Sequence, residues 1–300
     1  MIKHKLSLFA LVALGVVAFA TPSQAATYSA GDLILGFRVT GGTGAGSDLL
    51  VNLGASTSYR DLNGSNLWNI TNIGTDLVAT YGSNWYDRTD LSFGIAGVYT
   101  NISDVNGGTN NNGDPGQTLY FTKSRTAAGT VGSASSSVAS NYSNTNMSTA
   151  SAGMQSLGAT TYAGATASSN NSKVAIVSSS GGSSWTTYTS GASDFGVISG
   201  GVEQVFASGS WQGGTFGAAS NVEGALDLYR YLQTTTGASP SGTAKTGLYL
   251  GSVVIDQTGN LNAIVNSAAV PEPSTFAMAG IAAIAAGFVA YRRKKVSSSK

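Results

Sequence analysis

The side chains that most often carry covalent and acid–base chemistry are nearly missing from this chain. It has no cysteine, and its one histidine, His4, stands in a leader expected to be removed. Thiolate nucleophiles and thiolate metal sites are therefore excluded. A chain without its leader also lacks Ser-His catalysis, histidine acid–base chemistry and ordinary zinc sites. What remains is carboxylate chemistry. Glu203 and Glu223 are the only glutamates of the body, beside eleven aspartates. A secreted glycosidase would need two carboxylates about 5 to 10 Å apart in a cleft. Nothing in the spacing pairs them, and solvated or turn carboxylates are the simpler reading. No catalytic residue and no cofactor is assigned, and the chain reads as a protein that is not an enzyme.

Two binding chemistries deserve the same weighing. The segment "DVNGGTNNNGDPG" gathers Asp104, Asn106, Asn110, Asn112 and Asp114, hard oxygen donors suited to calcium. The spacing does not match an EF-hand loop, and Asp, Asn and Gly also make turns, so a flexible loop is favoured and no metal site is assigned. Trp68, Trp85, Trp185 and Trp211 could stack on sugar as the platform of a carbohydrate-binding adhesin, but core filling is the more economical use of aromatic area. The glycine run "GGTGAGSD" is followed by neither a lysine nor a helical pattern, so it reads as a turn rather than a phosphate loop. From Ala26 to Ala269 there are thirteen acidic and eight basic residues, a net charge of −5. That balance gives no drive toward nucleic acid.

The basic surplus sits at the two ends. The N-terminus runs "MIKHK", then apolar from Leu6 to Ala20, then "TPSQA". A basic start, a greasy middle and small residues Ser23 and Ala25 describe a leader, residues 1–25, cut by signal peptidase before Ala26. At the other end, Phe276 to Tyr291 carries no formal charge, and Ser274 and Thr275 extend it. As a helix it would reach roughly 24 to 27 Å, enough for the inner membrane with local thinning. Arg292, Arg293, Lys294 and Lys295 would stop it on the cytoplasmic side. Just before this segment, Pro271 and Pro273 flank Glu272 and stiffen "VPEP" into an extended strip at the outer boundary.

These three parts in this order, "VPEPST", an apolar helix at about 275–291 and "RRKK", resemble the C-terminal sorting signal of PEP-CTERM proteins. The chain adds "VSSSK" after the basic cluster, where members of the family usually stop. The resemblance implies that Pro271, Glu272 and Pro273 are recognised by an exosortase, a membrane-embedded transpeptidase-like enzyme that supplies the cysteine this chain lacks. It also implies a Gram-negative source, transient anchoring in the inner membrane, release to the cell surface or matrix, and association with extracellular polysaccharide or biofilm. "GDLILGFRVTGG", "DLLVNLG", "LYFTKSR" and "YLGSVVIDQTGNLNAIV" resemble the body of some members, which implies membership and no activity.

The elements that would carry these features are mostly strands. In "LILGFRVT", Leu33, Leu35, Phe37 and Val39 share a face, and Leu49, Val51 and Leu53 continue the pattern after the glycine turn, predicting a hairpin. Further strands are predicted in "LSFGIAGVYT", "TLYFTK", "KVAIVSS", "ALDLYRYL" and "GLYLGSVVID", with a closing hairpin through Asp256 to Asn260 into "LNAIV". Ile70, Ile73, Leu77, Val78 and Tyr81 fall on one helical face, and Gly82 is placed as its C-terminal cap. Residues 125–193 are rich in Ser, Thr, Asn and Gly, with short helices allowed by Val131, Val138, Tyr142, Met147, Met154 and Leu157. The reading is therefore a mainly β, sandwich-like body with a few short helices over 26–268, between an N-terminal signal helix and a 269–300 sorting signal with a transmembrane helix.

Overall fold

The computed structural model describes residues 24–60, 67–99, 114, 118–124, 144–190, 203–205, 223–231 and 247–265. Strands β1 (Asp32–Val39) and β2 (Ser47–Ala55) form the predicted hairpin, with Phe37 opposite Leu49. Its connection is a turn in which Gly42 and Gly44 adopt φ of 65° and 84°. Gly44 is fixed twice over, since a Cβ there would also lie 2.5 Å from the Tyr81 ring.

Eight more strands follow: β3 (Leu67–Asn72), β4 (Leu91–Val98), β5 (Leu119–Ser124), β6 (Val174–Ser178), β7 (Glu203–Val205), β8 (Glu223–Tyr231), β9 (Gly247–Asp256) and β10 (Asn260–Val265). They join in one antiparallel sheet of order β3-β10-β9-β8-β5-β4-β1-β2-β6, with β7 beside β4. Every strand predicted from the sequence is present. The mainly β reading holds, but the two-sheet sandwich is replaced by a single curled sheet. Strand patterns are alike in both architectures; the difference lies in whether the two ends of a sheet approach each other.

Here they do. The Asn171 side-chain amide, just before β6, donates to Thr71 Oγ1 at 2.8 Å and to the Asn72 carbonyl at 2.9 Å on β3. The Lys173 ammonium reaches the Ile70 carbonyl at 3.4 Å. Residues 168–173 thus latch one edge of the sheet to the other. Ser168 and Asn170 extend the latch by donating to Asp76 Oδ1.

Inside the curl lies a continuous apolar core that takes Leu35 and Phe37 from β1, Phe93 from β4, Leu226 from β8 and Ile255 from β9. Phe37 and Phe93 are opposite each other and stack at 5.7 Å. After the short α1 (Ser56–Arg60), the helix α2 (Gly74–Tyr81) adds Leu77 and Tyr81 to this core. It starts later than predicted because Ile70 belongs to β3. It ends as predicted, at Gly82, whose φ is 93° and whose N–H donates to the Val78 carbonyl. Val78 itself is 45% exposed, one step around the helix from the buried stripe. Gly74 admits no side chain, since a Cβ would fall 2.1 Å from the Thr258 carbonyl in the β9–β10 turn.

The outer face of the sheet carries a second core, and this explains why β4 is buried along its whole length. Helix α3 (Asn144–Gln155) and its π-helical continuation Ser156–Tyr162 bring Met154, Leu157 and Tyr162 onto it. The short α4 (Trp185–Thr189) brings Trp185, and Ser184 Oγ caps it by accepting from the Thr187 N–H. Among the described residues no helix is long and apolar enough to cross a membrane. The signal helix and the 275–291 helix lie outside the described residues.

Candidate functional site

The carboxylates singled out by the sequence, Glu203 and Asp114 among them, are held by fixed donors. Glu203 on β7 is mostly buried and gripped by Arg38 of β1. Arg38 Nε donates to both its oxygens at 2.9 Å, and Nη2 donates to Oε2 at 2.6 Å. Trp185 Nε1 donates to Oε1 at 2.7 Å. Beyond the Phe37–Leu49 pair, the same end of the hairpin carries Asp48, fully buried and held by the Thr186 N–H at 2.9 Å and hydroxyl at 2.6 Å. Burial raises the Asp48 pKa above the usual carboxylate range, against the opposing pull of the Thr186 hydrogen bonds and the Arg38 charge.

The reading of Glu203 as a solvated or turn carboxylate is thereby corrected. Both its oxygens are committed to fixed donors, which is the chemistry of a structural clamp. Sequence spacing had no means of pairing it with an arginine 165 positions away. Glu223 begins β8, with its side chain outside the described residues.

Asp114, from the oxygen-rich segment, is likewise committed to fixed partners. It is buried between the guanidiniums of Arg60, at 3.1 Å, and Arg230, and accepts from the Tyr120 hydroxyl at 2.5 Å. A cation would have to displace two arginines to use it. Asp104, Asn106, Asn110 and Asn112 lie outside the described residues. Among the described residues no group of three or more His, Cys, Asp or Glu is placed to hold a metal ion.

Trp85 and Trp185 are buried, so neither offers a face to sugar. Trp68 lies on β3 with its side chain outside the described residues, as is all of Trp211. Asp256 behaves as its turn reading requires, accepting from the Thr258 N–H and hydroxyl and from the Asn260 N–H. The arginine partners escaped the sequence reading, although a signal was there. Arg38 follows the apolar run of β1 and Arg230 stands between two tyrosines of β8, and a charge in such a place implies a partner across the sheet.

A cavity of about 290 Å³ opens where the N-terminal strip meets the latch. Gln24, Ala25, Thr27, Asn52, Tyr162 and Lys173 line it. The Tyr162 hydroxyl donates to the Lys173 carbonyl at 2.7 Å, and burial pushes its pKa up to about 12. Of the leader-cut residues, Ser23 lies outside the described residues. Ala25 forms an antiparallel bridge with Thr166, and the buried Ala26 donates its N–H to the Ala165 carbonyl at 3.0 Å.

Among the described residues, the ion pairs of Arg38 with Glu203 and of Arg230 with Asp114 tie distant parts of the chain to the sheet. The class defined by fold and sequence is a mainly β protein, a curled antiparallel sheet with a C-terminal signal. Residues 269–294 match the family model of the PEP-CTERM protein-sorting motif, which makes the chain a PEP-CTERM motif-containing protein. The motif implies export and sorting to the cell surface, with an exosortase as the processing partner. No curated protein matches the chain. No solved structure matches it either. Pro271, Glu272, Pro273 and Arg292 to Lys295 lie outside the described residues.

Proposed function

We propose that this chain is a non-enzymatic surface or extracellular-matrix protein of a Gram-negative bacterium, associated with exopolysaccharide or biofilm. In this reading signal peptidase removes residues 1–25, and the apolar segment at about 275–291 holds the precursor in the inner membrane. Arg292, Arg293, Lys294 and Lys295 keep the tail from passing through. Pro271, Glu272 and Pro273 then form a stiff, extended strip at the membrane surface, where a membrane-embedded transpeptidase can take it. The observation that carries the proposal is the match of residues 269–294 to the sorting motif. The buried state of Trp85 and Trp185 and the clamping of Glu203 and Asp114 favour a structural body over an adhesin platform or a glycosidase.

Intact-mass measurement of protein recovered from the cell surface and medium tests it. The expected product begins at Ala26 and lacks the segment after Pro273. A Glu272→Ala variant is expected to keep its tail and accumulate in the membrane fraction. Normal trimming of that variant would remove the recognition role of the tripeptide.

A further inference from the structure

We propose that removal of the leader has to precede folding of the body, because the folded body takes the Ala25–Ala26 peptide bond into its own structure. The inference rests on the reading of residues 1–25 as a leader cut at that bond.

The bond is held from both sides. Ala25 is bridged to Thr166. The Ala26 N–H, which belongs to the leaving nitrogen of any hydrolysis here, donates to the Ala165 carbonyl at 3.0 Å, and the Gln24 carbonyl accepts from the Ala167 N–H at 2.8 Å. The Ala26 side chain is 3% exposed and is part of the outer core. Two residues on, the Tyr28 ring lies so close to Gly158 that a Cβ there would sit 2.3 Å from it. The receiving strip is itself anchored, since Ala167 bridges Ala175 of β6 and the Ala165 N–H donates to the Tyr162 carbonyl at 3.0 Å.

Hydrolysis adds water across the peptide bond: the carbonyl carbon of Ala25 takes the hydroxyl, and the nitrogen of Ala26 takes a proton and leaves as an amine. A protease that reads an extended substrate needs a free strand edge and access to the residue after the cut. The folded body occupies that edge with residues 165–167 and buries the Ala26 side chain. Ala25 itself stays exposed in the folded body, but its strand edge is taken by Thr166; in the unfolded chain that edge is free for the enzyme to read Ser23 and Ala25. Once cut, the new ammonium of Ala26 finds the Ala165 carbonyl already within reach, so the mature end seats where the uncut chain sat. Folding therefore acts as a clock on processing.

The test uses full-length precursor in detergent micelles with purified signal peptidase, added either at the moment of dilution from urea or after refolding. The freshly diluted chain is expected to yield a product beginning at Ala26. The refolded chain should be cut at least roughly ten-fold more slowly, because cleavage then follows the small population in which the strip is open. A Gly158→Leu variant, which expels Tyr28, should regain rapid cutting after refolding while keeping the far-ultraviolet spectrum of the body. Equal cutting of fresh and refolded wild-type precursor would overturn the inference without touching the leader reading. Failure of the fresh chain to be cut between Ala25 and Ala26 would overturn the leader reading, and the inference with it.

Discussion

Asp114 shows most plainly how this body treats charge. Its carboxylate serves Arg60 and Arg230 at once, with Tyr120 completing the shell. An Asp114→Asn substitution keeps the shape and removes the buried negative charge that Arg60 and Arg230 share. Breaking a buried pair in this way costs about 3 to 5 kcal/mol, to be read as a lower urea midpoint at unchanged slope. A milder effect is expected at Asp90, whose carboxylate accepts from Arg88 Nε at 2.8 Å and Nη2 at 2.7 Å. These hydrogen bonds, with a smaller contribution from the Arg88 charge, hold its pKa below the usual carboxylate range despite the opposing effect of burial. Because the unfolded chain then binds the proton first, the stabilisation is complete above an ordinary aspartate pKa of about 4 and fades as pH falls through the lower folded value. Urea midpoints measured from neutral to strongly acid pH should fall less steeply for Asp90→Asn than for the wild type.

At the scale of elements, the latch of residues 168–173 decides whether the sheet stays curled. Asn171→Ala removes two side-chain bonds to β3 and leaves the Asn72 carbonyl without that donor. The expected loss is about 1 to 3 kcal/mol. Hydrogen exchange should rise first in β3 and in the strip before β6, ahead of the central strands. An even rise across the sheet would show that the latch does not act locally. The strands themselves were legible because alternation in "LILGFRVT" and "LLVNLG" reports a buried face directly. Gly82 was legible as a helix end for a similar reason, since its positive φ is a local demand. The curl was not legible, because it depends on Asn171 meeting Thr71 across 100 positions. Nor was the short β7, which is made a strand by Gln204 lying opposite Phe93 rather than by any propensity of its own. Of the candidate sites, the tail could be read from consecutive residues, whereas the Arg38–Glu203 clamp could not.

Taken whole, the molecule divides its labour between body and ends. The body contains ion pairs and aromatic layers that hold one sheet together, while the recognisable instructions for handling lie at the C-terminus. Cysteine is absent, so no disulfide reinforces the fold outside the cell. Cohesion therefore depends on packing on both faces of the sheet and on the polar ties at its seam.

The place of β10 in that sheet has a mechanical consequence. The last described strand before the sorting motif is not at an edge: β3 flanks it on one side and β9 on the other. Its ladder bonds run across the strand, so tension applied at Val265 along the strand axis loads both ladders together in shear, rather than peeling bonds off one after another. A tail drawn toward a membrane, or joined to another molecule, would pull on a strand braced on both sides.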